Sequence, residues 1–470
     1  MVMKGAWEYL QERAREDWLI GQDSRAFFEL TSRVIAQLQE EKTRVRDRPV
    51  IFLAESDPIH FLAKFIAACA TGCHLFLCNP TWTDSEWAQV FALAQPTLLY
   101  EKSTLLRPPL HSVLPALHSP LPLICIPTGG SSGSIRFAMH TWDTLMASVA
   151  GFQHYFGVER IHSCCVLPIY HVSGLMQCLR SLTSGGTLAL LPYKTLETSH
   201  LLTFDPADFF LSLVPTQLHR LLGSPTLLTQ FKTILLGGAP AGSELLEQAR
   251  QLAIPLAPTY GMTETASQVS TLKPTDFLQG ITGCGQVLPH AQITICSATT
   301  GEVLGVNQTG VVTIAAKSLM LGYYPEFVDT PRDVACFSKG TVACTFSTDD
   351  IGWLDERGYL HILGRQSDKI ITGGENVFPA EVEAAILATG LVQDVGVFGV
   401  SDPYWGEAIA AIYVPTAHLT VTTLKAALAD RLSKFKLPKH WIAVEQLPRN
   451  AQGKLNRQEL RQLVPTDSTM

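Results

Sequence analysis

The chain has 470 residues, too many for one ordinary hydrophobic core and enough for two or three. With 46% hydrophobic and 16% charged residues it cannot be an intrinsically disordered chain. Its formal net charge of -7 is spread without long single-sign runs, which leaves no electrostatic footprint for nucleic acid or an anionic membrane.

Residues 1–16 mix charges with apolar side chains and lack the apolar core of a signal peptide. No stretch reaches the roughly 20 apolar residues that a membrane-spanning helix needs. Helical spacing over 27–38 is followed by a buried strand at 50–54, a helix at 59–70, a strand at 75–78 and a helix at 85–93. Further strands are expected at 121–126, 164–167 and 232–236, and a helix from about Thr141. Alternation of this kind predicts parallel sheets covered by helices. After about residue 280 the texture changes to short β-rich runs at 292–295, 310–315 and 359–363, as in a small barrel or distorted sheet. Beyond 364–367 comes a region of about 100 residues, enough for a small separate domain. It holds helices at 380–388 and 422–432 and strands at 395–400 and 408–414. The chain is therefore expected to be α/β, with domains at 1–366 and 367–470. The eleven cysteines sit mostly in apolar runs, and the spacing of Cys69, Cys73 and Cys78 differs from paired metal-binding motifs. Buried free thiols in a reducing, cytoplasmic setting are expected.

Five motifs carry candidate chemistry. The run Thr128, Gly129, Gly130, Ser131, Ser132, Gly133, Ser134, Ile135, Arg136 follows a buried strand, and its backbone N–H groups and hydroxyls could wrap phosphate oxygens. It is not a Walker A loop, since no Gly-Lys-Ser/Thr closes it, and a plain turn is the other reading. Tyr260, Gly261, Met262, Thr263, Glu264 and Thr265 offer an aromatic platform, hydroxyls and an oxygen ligand for Mg²⁺, or an ordinary helix cap. Asp349 and Asp350, followed by Arg365, Gln366, Ser367 and Asp368, could grip ribose hydroxyls or form a surface turn. Gly373 and Gly374 form a tight loop ahead of a helix, and Lys454 follows Gly453 near the C-terminus.

In order and spacing, these motifs resemble the adenylate-forming superfamily of acyl-CoA synthetases, luciferases and peptide-synthetase adenylation domains, from about residue 49 to 460. The resemblance implies a large N-terminal domain of two parallel-type αβ sheets plus a small β-barrel-like region, with a small mobile α+β C-terminal domain. It implies ATP, Mg²⁺ and CoA as reactants and cofactor. Thr128 to Arg136 match the mobile phosphate loop, although Arg136 stands where lysine is usual. Gly237, Gly238 and Ala239 resemble the adenine-edge segment. Tyr260 matches the adenine-stacking residue, Thr263 a phosphate contact and Glu264 the Mg²⁺ carboxylate. Asp350 and Arg365 match the ribose pair, although Asp349 stands where glycine is usual. Lys454 matches the lysine that bridges the attacking carboxylate and the α-phosphate. Ser367, or Asp368 beside it, matches the hinge, and Gly373-Gly374 the loop that meets the CoA thiol.

Within the superfamily, the stretch 167–174 looks like the acyl-pocket entrance, with His171 as its gate and Ser173 beside it. The run from Ser212 through Thr216 to Leu218, and the sequence from Arg136 to Trp142, are similar to the o-succinylbenzoate–CoA ligases of menaquinone or phylloquinone synthesis. That acid is an aromatic dicarboxylate, and Arg180 is expected to face the carboxylate that does not react. An aryl- or acyl-CoA ligase for another acid, or a carrier-loading adenylation domain, shares the same motifs. A non-catalytic adenylate sensor fits less well, because Lys454, Glu264, Asp350 and Arg365 are present together. The expected partners are small molecules, with no nucleic acid, no membrane span and a possible homo-oligomer.

Overall fold

A computed structural model describes residues 4–45, 48–101, 104–107, 119–129, 135–198, 202–325, 345–402, 404–416, 419–449 and 455–463. Lys454, and Gly130, Ser131, Ser132 and Gly133 of the glycine-serine run, lie outside the described residues.

The alternating first half builds two sheets. In the first, Val50–Ala54 pairs in parallel with His74–Leu77 and Leu98–Glu101, and His74–Leu77 pairs with Ile124–Gly129. Antiparallel strands close it: Ile135–His140 and then Gly322–Tyr324 on one side, Thr104–Leu106 on the other. The second sheet runs Leu19–Ile20, Leu188–Leu190, His162–Cys165, Phe209–Leu213, Thr233–Leu236 and Leu256–Met262 in parallel. Antiparallel Ser267–Thr271 and Gln286–Val287 complete it.

Parallel strands linked by crossovers need cover on both faces. Here the two sheets share one covering layer, the helices Pro58–Thr71, Trp142–Phe156 and Val172–Ser184, whose apolar side chains form a single core with both inner faces. Pro58–Thr71 is buried from Phe61 through Ala68, so its sequence is apolar nearly all round. Asp57 accepts from the His60 N–H at its start, Pro58 opens its first turn, and Gly72 ends it in a left-handed conformation. Lys64, on this helix, is buried against Glu55 at 2.5 Å.

The helix Val172–Ser184 is clamped at both ends. At Gly174 an added Cβ would lie 2.3 Å from the Pro168 carbonyl oxygen, so the segment leading to His171 rests directly on the first turn. At the far end Arg13 donates to the carbonyls of Ser181 (2.9 Å) and Gly186 (2.6 Å), with its guanidinium 4.8 Å from the Trp18 ring centroid.

The β-rich region is a four-stranded antiparallel sheet, Ala291–Cys296, Gly310–Ala316, Thr345–Leu354 and Leu360–Arg365. A fourth sheet orders Glu375–Val377, Ile370–Thr372, Gly406–Pro415 and Val392–Asp402, with His440–Ala443 parallel to Gly406–Pro415. Two apolar clusters in this last region draw only on residues 370–460. Among the described residues no helix is long and apolar enough to cross a membrane. The helix expected near Thr141 begins at Trp142 with Thr141 as its cap. The stretch before it, unassigned from the sequence, is the strand Ile135–His140, so the glycine-serine run joins two antiparallel strands.

Candidate active site

In the second sheet, the C-terminal ends of neighbouring parallel strands deliver the motif residues to one edge. His171 follows the strand His162–Cys165, Thr216 follows Phe209–Leu213, Gly237 follows Thr233–Leu236, and Tyr260 lies near the end of Leu256–Met262. At Gly237 a Cβ would meet the Thr259 hydroxyl at 2.5 Å; Gly238 has φ +83°, and Ala239 is exposed. Thr128 and Gly129 end an inner strand of the first sheet, next to the central one.

The two edges meet at the turn Thr263–Thr265. The Thr263 carbonyl accepts from His140 Nε2 at 2.8 Å, and the Glu264 carbonyl accepts from the Met320 N–H at 2.8 Å. Burial pushes the His140 pKa down to about 4, so the ring is neutral at pH 7 and carries its proton on the nitrogen that faces the carbonyl. The Glu264 carboxylate is itself buried, and its Oε1 accepts from Tyr323 Oη (2.6 Å) and Thr128 Oγ1 (3.4 Å). After the turn, Ala266 and Ser267 take φ of 51° and 95°, backbone strain of about 1–3 kcal/mol each. Hydrogen bonds hold this reversal: Ser148 Oγ donates to the Ala266 carbonyl, and Thr265 Oγ1 to that of Ser267.

The third sheet brings in the other pair. Asp350 and Arg365 are cross-strand partners, with Nε 3.7 Å from Oδ1, and Tyr260 Oη donates to Asp350 Oδ2 at 2.7 Å. Burial raises the Asp350 pKa, opposed by the Tyr260 hydrogen bond and the Arg365 charge. Asp349 accepts from the Ser367 N–H at 3.1 Å and from the Ser367 hydroxyl, while its carbonyl accepts from the Gln366 N–H. Asp368 is next in the chain, half-buried. Gly373 and Gly374 form the two-residue turn of a hairpin between Ile370–Thr372 and Glu375–Val377, with φ of +58° and +84°. The Gly373 N–H donates to the Trp405 carbonyl, and a Cβ there would meet the Trp405 ring at 2.8 Å.

A second polar cluster, buried in the helical layer, surrounds Arg180. Arg180 is 2% exposed and stacks on Phe152 with Cζ 4.2 Å from the ring centroid. Its Nη2 donates to Gln268 Oε1 at 2.8 Å and Ser267 Oγ at 3.2 Å, both neutral acceptors. Burial pushes its pKa down to about 9, so it remains a cation at neutral pH. Among the described residues, Arg180 Nε, Gln268 Nε2 and both ring nitrogens of His290 are buried without a hydrogen-bond partner. His290 backs onto Gly151, where a Cβ would fall 1.8 Å from Nδ1. Burial, with Arg180 adding to it, pushes the His290 pKa down to about 4. His171 caps the helix Val172–Ser184, its ring 4.5 Å from that of Tyr170. Ser173 is exposed on the first turn and Thr216 half-buried on another helix; neither hydrogen-bonds with Arg180.

Sequence reasoning missed Gln268, His290, Tyr323 and His140. Gln268 and His140 lie near motifs, whereas His290 and Tyr323 carry no local signal; what unites the four is sheet order. Glu264, fixed by two hydroxyls, is a hard oxygen donor of the kind that Mg²⁺ prefers, and Tyr260, Asp350 and Arg365 present a ring and a paired acceptor and donor of the kind that suits a nucleoside.

These parts define an AMP-binding enzyme, and the chain belongs to that family: residues 112–324 match the AMP-binding enzyme domain and 381–454 the AMP-binding enzyme C-terminal domain. The chain is 35% identical over 360 residues to 2-succinylbenzoate–CoA ligase of Geobacillus kaustophilus, spanning 72% of this chain and 68% of that one. o-Succinylbenzoate CoA synthetase of Bacillus subtilis, in complex with its acyl-adenylate intermediate, superposes with a TM-score of 0.81 at 25% identity, over 98% of this chain and 99% of that one. The same synthetase with ATP and magnesium ion gives 0.78 at 25% identity, over 97% and 99%.

The raised Asp350 pKa sets a pH dependence. An Asp350 that accepts ribose hydroxyls must be ionised, so on that role nucleotide affinity should weaken on acidification at a pH above that of an ordinary aspartate. Tyr260→Phe removes a contact that lowers this pKa and should move the midpoint to higher pH. Calorimetric AMP affinity across mildly acidic to neutral pH checks this; an unmoved midpoint would contradict it.

Proposed function

We propose that this chain is an AMP-forming ligase that joins o-succinylbenzoate to CoA in two half-reactions. One carboxylate of the acid attacks the α-phosphorus of ATP, pyrophosphate leaves, and an acyl-adenylate forms. The CoA thiolate then attacks the acyl carbon, AMP leaves, and the thioester forms. The observation that carries the choice of acid is Arg180. An unmatched buried charge costs several kcal/mol, and the described residues that hydrogen-bond to it are neutral. The second carboxylate of an aromatic dicarboxylate supplies the missing charge, with Gln268 Nε2 and a His290 N–H as further donors. His171 would gate the entrance, with Ser173 and Thr216 at its rim.

Tyr260 would stack on adenine beside the Gly237-Gly238-Ala239 edge, while Asp350 and Arg365 hold the ribose. Thr128 to Arg136 and Thr263 would bind phosphates. Glu264 would hold Mg²⁺, which when bound supplies positive charge to the triphosphate. Lys454 would bridge the attacking carboxylate and the α-phosphate, where an ammonium is worth most as charge gathers. We assign residues 1–366 and 367–470 to two domains, on the separate cores of the latter. The smaller one would pivot at Ser367 or Asp368 to exchange Lys454 for the Gly373-Gly374 turn, which then meets the CoA thiol. The nine described cysteines are all free, which supports a reducing cytoplasm.

A panel of acids assayed for thioester formation with ATP and CoA tests the assignment. Arg180→Ala should raise the KM for o-succinylbenzoate by ~2–5 kcal/mol equivalent while sparing ATP and CoA, and Arg180→Lys should recover part of it. A mono-acid analogue should be a poor substrate, nearly indifferent to the change. Equal losses on both acids would make Arg180 structural.

Lys454→Ala should slow adenylation by on the order of 100- to 1000-fold and spare thioester formation from a supplied acyl-adenylate. Near-normal pyrophosphate release would remove Lys454 from the first step.

Ser367→Pro should make the adenylate but convert it slowly to the CoA ester, because proline fixes φ at the pivot. Equal damage to both half-reactions would place the hinge elsewhere.

A further inference from the structure

Arg136 stands where the family resemblance leads one to expect lysine, and its setting explains how an arginine can serve there. It is the cross-strand partner of Thr128, and its neighbouring strand is Gly322–Tyr324. Its guanidinium carbon lies 4.2 Å from the centroid of the Tyr323 ring, and its Nε is buried with no hydrogen-bond partner among the described residues. A planar guanidinium can stack in this way and keep its edge donors free; a lysine ammonium cannot. The hydroxyl of the same tyrosine donates to Glu264 Oε1 at 2.6 Å, and the Thr128 hydroxyl reaches that oxygen from the other strand. The backbone reinforces the placement, since the Met320 N–H binds the Glu264 carbonyl and the Leu321 N–H the Met139 carbonyl.

We infer that Tyr323 is a positioning residue that holds the phosphate-side cation Arg136 and the metal-side carboxylate Glu264 in one fixed relation. The ring sets the plane of Arg136, and the hydroxyl sets the rotamer of Glu264. A bound MgATP presents its outer phosphates and its metal together, so it meets both groups at once. AMP carries neither and is blind to the arrangement. The inference rests on the reading above, in which Glu264 holds Mg²⁺ and Arg136 faces the triphosphate.

Calorimetric binding of MgATP and of AMP, without acid or turnover, separates these effects. Tyr323→Phe keeps the ring and removes the hydroxyl; MgATP affinity should fall roughly tenfold, as for loss of a hydrogen bond to a charged group, with AMP affinity unchanged. Tyr323→Leu removes the platform as well, and MgATP affinity should fall roughly fivefold further. In an Arg136→Ala background that extra loss should vanish, because no guanidinium remains to be oriented. Glu264→Gln is the control for the underlying reading. If it weakens MgATP while Tyr323→Phe leaves MgATP unchanged or tighter, the tyrosine has no such role. Should Glu264→Gln itself leave MgATP binding intact, the metal assignment fails and the inference falls with it. Equal weakening of MgATP and AMP by Tyr323→Phe would mark the residue as merely structural and overturn the proposal.

Discussion

The His140 ring leaves the end of a first-sheet strand and donates from Nε2 to the Thr263 carbonyl at the edge of the second sheet. Around that bond the two halves of the nucleotide site become one surface. Thr128 comes from the near sheet, Glu264 from the far one, and Tyr323 from a strand that returns to the near sheet after a long excursion. The bond works because burial keeps the imidazole neutral, so that Nε2 carries a proton and Nδ1 can still meet Thr144 Oγ1 at 3.1 Å. Losing a buried donor to a carbonyl typically costs about 1–3 kcal/mol. Here the larger effect would be geometric, since Thr263 and Glu264 are anchored to the first sheet through the same turn.

The helical layer between the sheets treats its cations in different ways, and the contrast gives Arg180 its meaning. Lys64 is buried, but the chain supplies Glu55 against it. Arg13 is buried, but it is satisfied by two carbonyls and by Glu16. Arg180 is as deeply placed and has an aromatic face, an amide oxygen and a hydroxyl. Among the described residues, the groups that hydrogen-bond to Arg180 are neutral. Strained backbone at Ala266 and Ser267 lies beside this cluster, and such strain persists where surrounding structure enforces it.

Much of the fold was legible in the chain. The buried strand at 50–54, the helix after it and the helix from Thr141 stand where periodicity placed them, because apolar period and caps are local signals. The strand Ile135–His140 was not read, although Ile135, Phe137 and Met139 alternate with Arg136, Ala138 and His140, because the glycine-serine run before it and the helix cap at Thr141 after it are the stronger local signals. Helix Val172–Ser184 was known only as the seat of the gate and Arg180; its boundaries were not read. Within the site, Glu264, Asp350 and Arg365 were found through motifs. Gln268 reaches Arg180 across 88 residues and Tyr323 reaches Glu264 across 59, and no local pattern encodes such distances.

The clamp that Arg13 places on the end of the Arg180 helix ties residues near the start of the described structure to the setting of Arg180. Its two carbonyl acceptors, on Ser181 and Gly186, follow Arg180 by less than two helical turns. The indole of Trp142, which opens the neighbouring helix, likewise donates to the Lys4 carbonyl. Residues 4–13 thus brace the helical layer from outside. Removing them would leave Arg180 and its neighbours in the polypeptide and yet free the helix end beyond it, with amide exchange over 179–186 rising before any residue around Arg180 had changed.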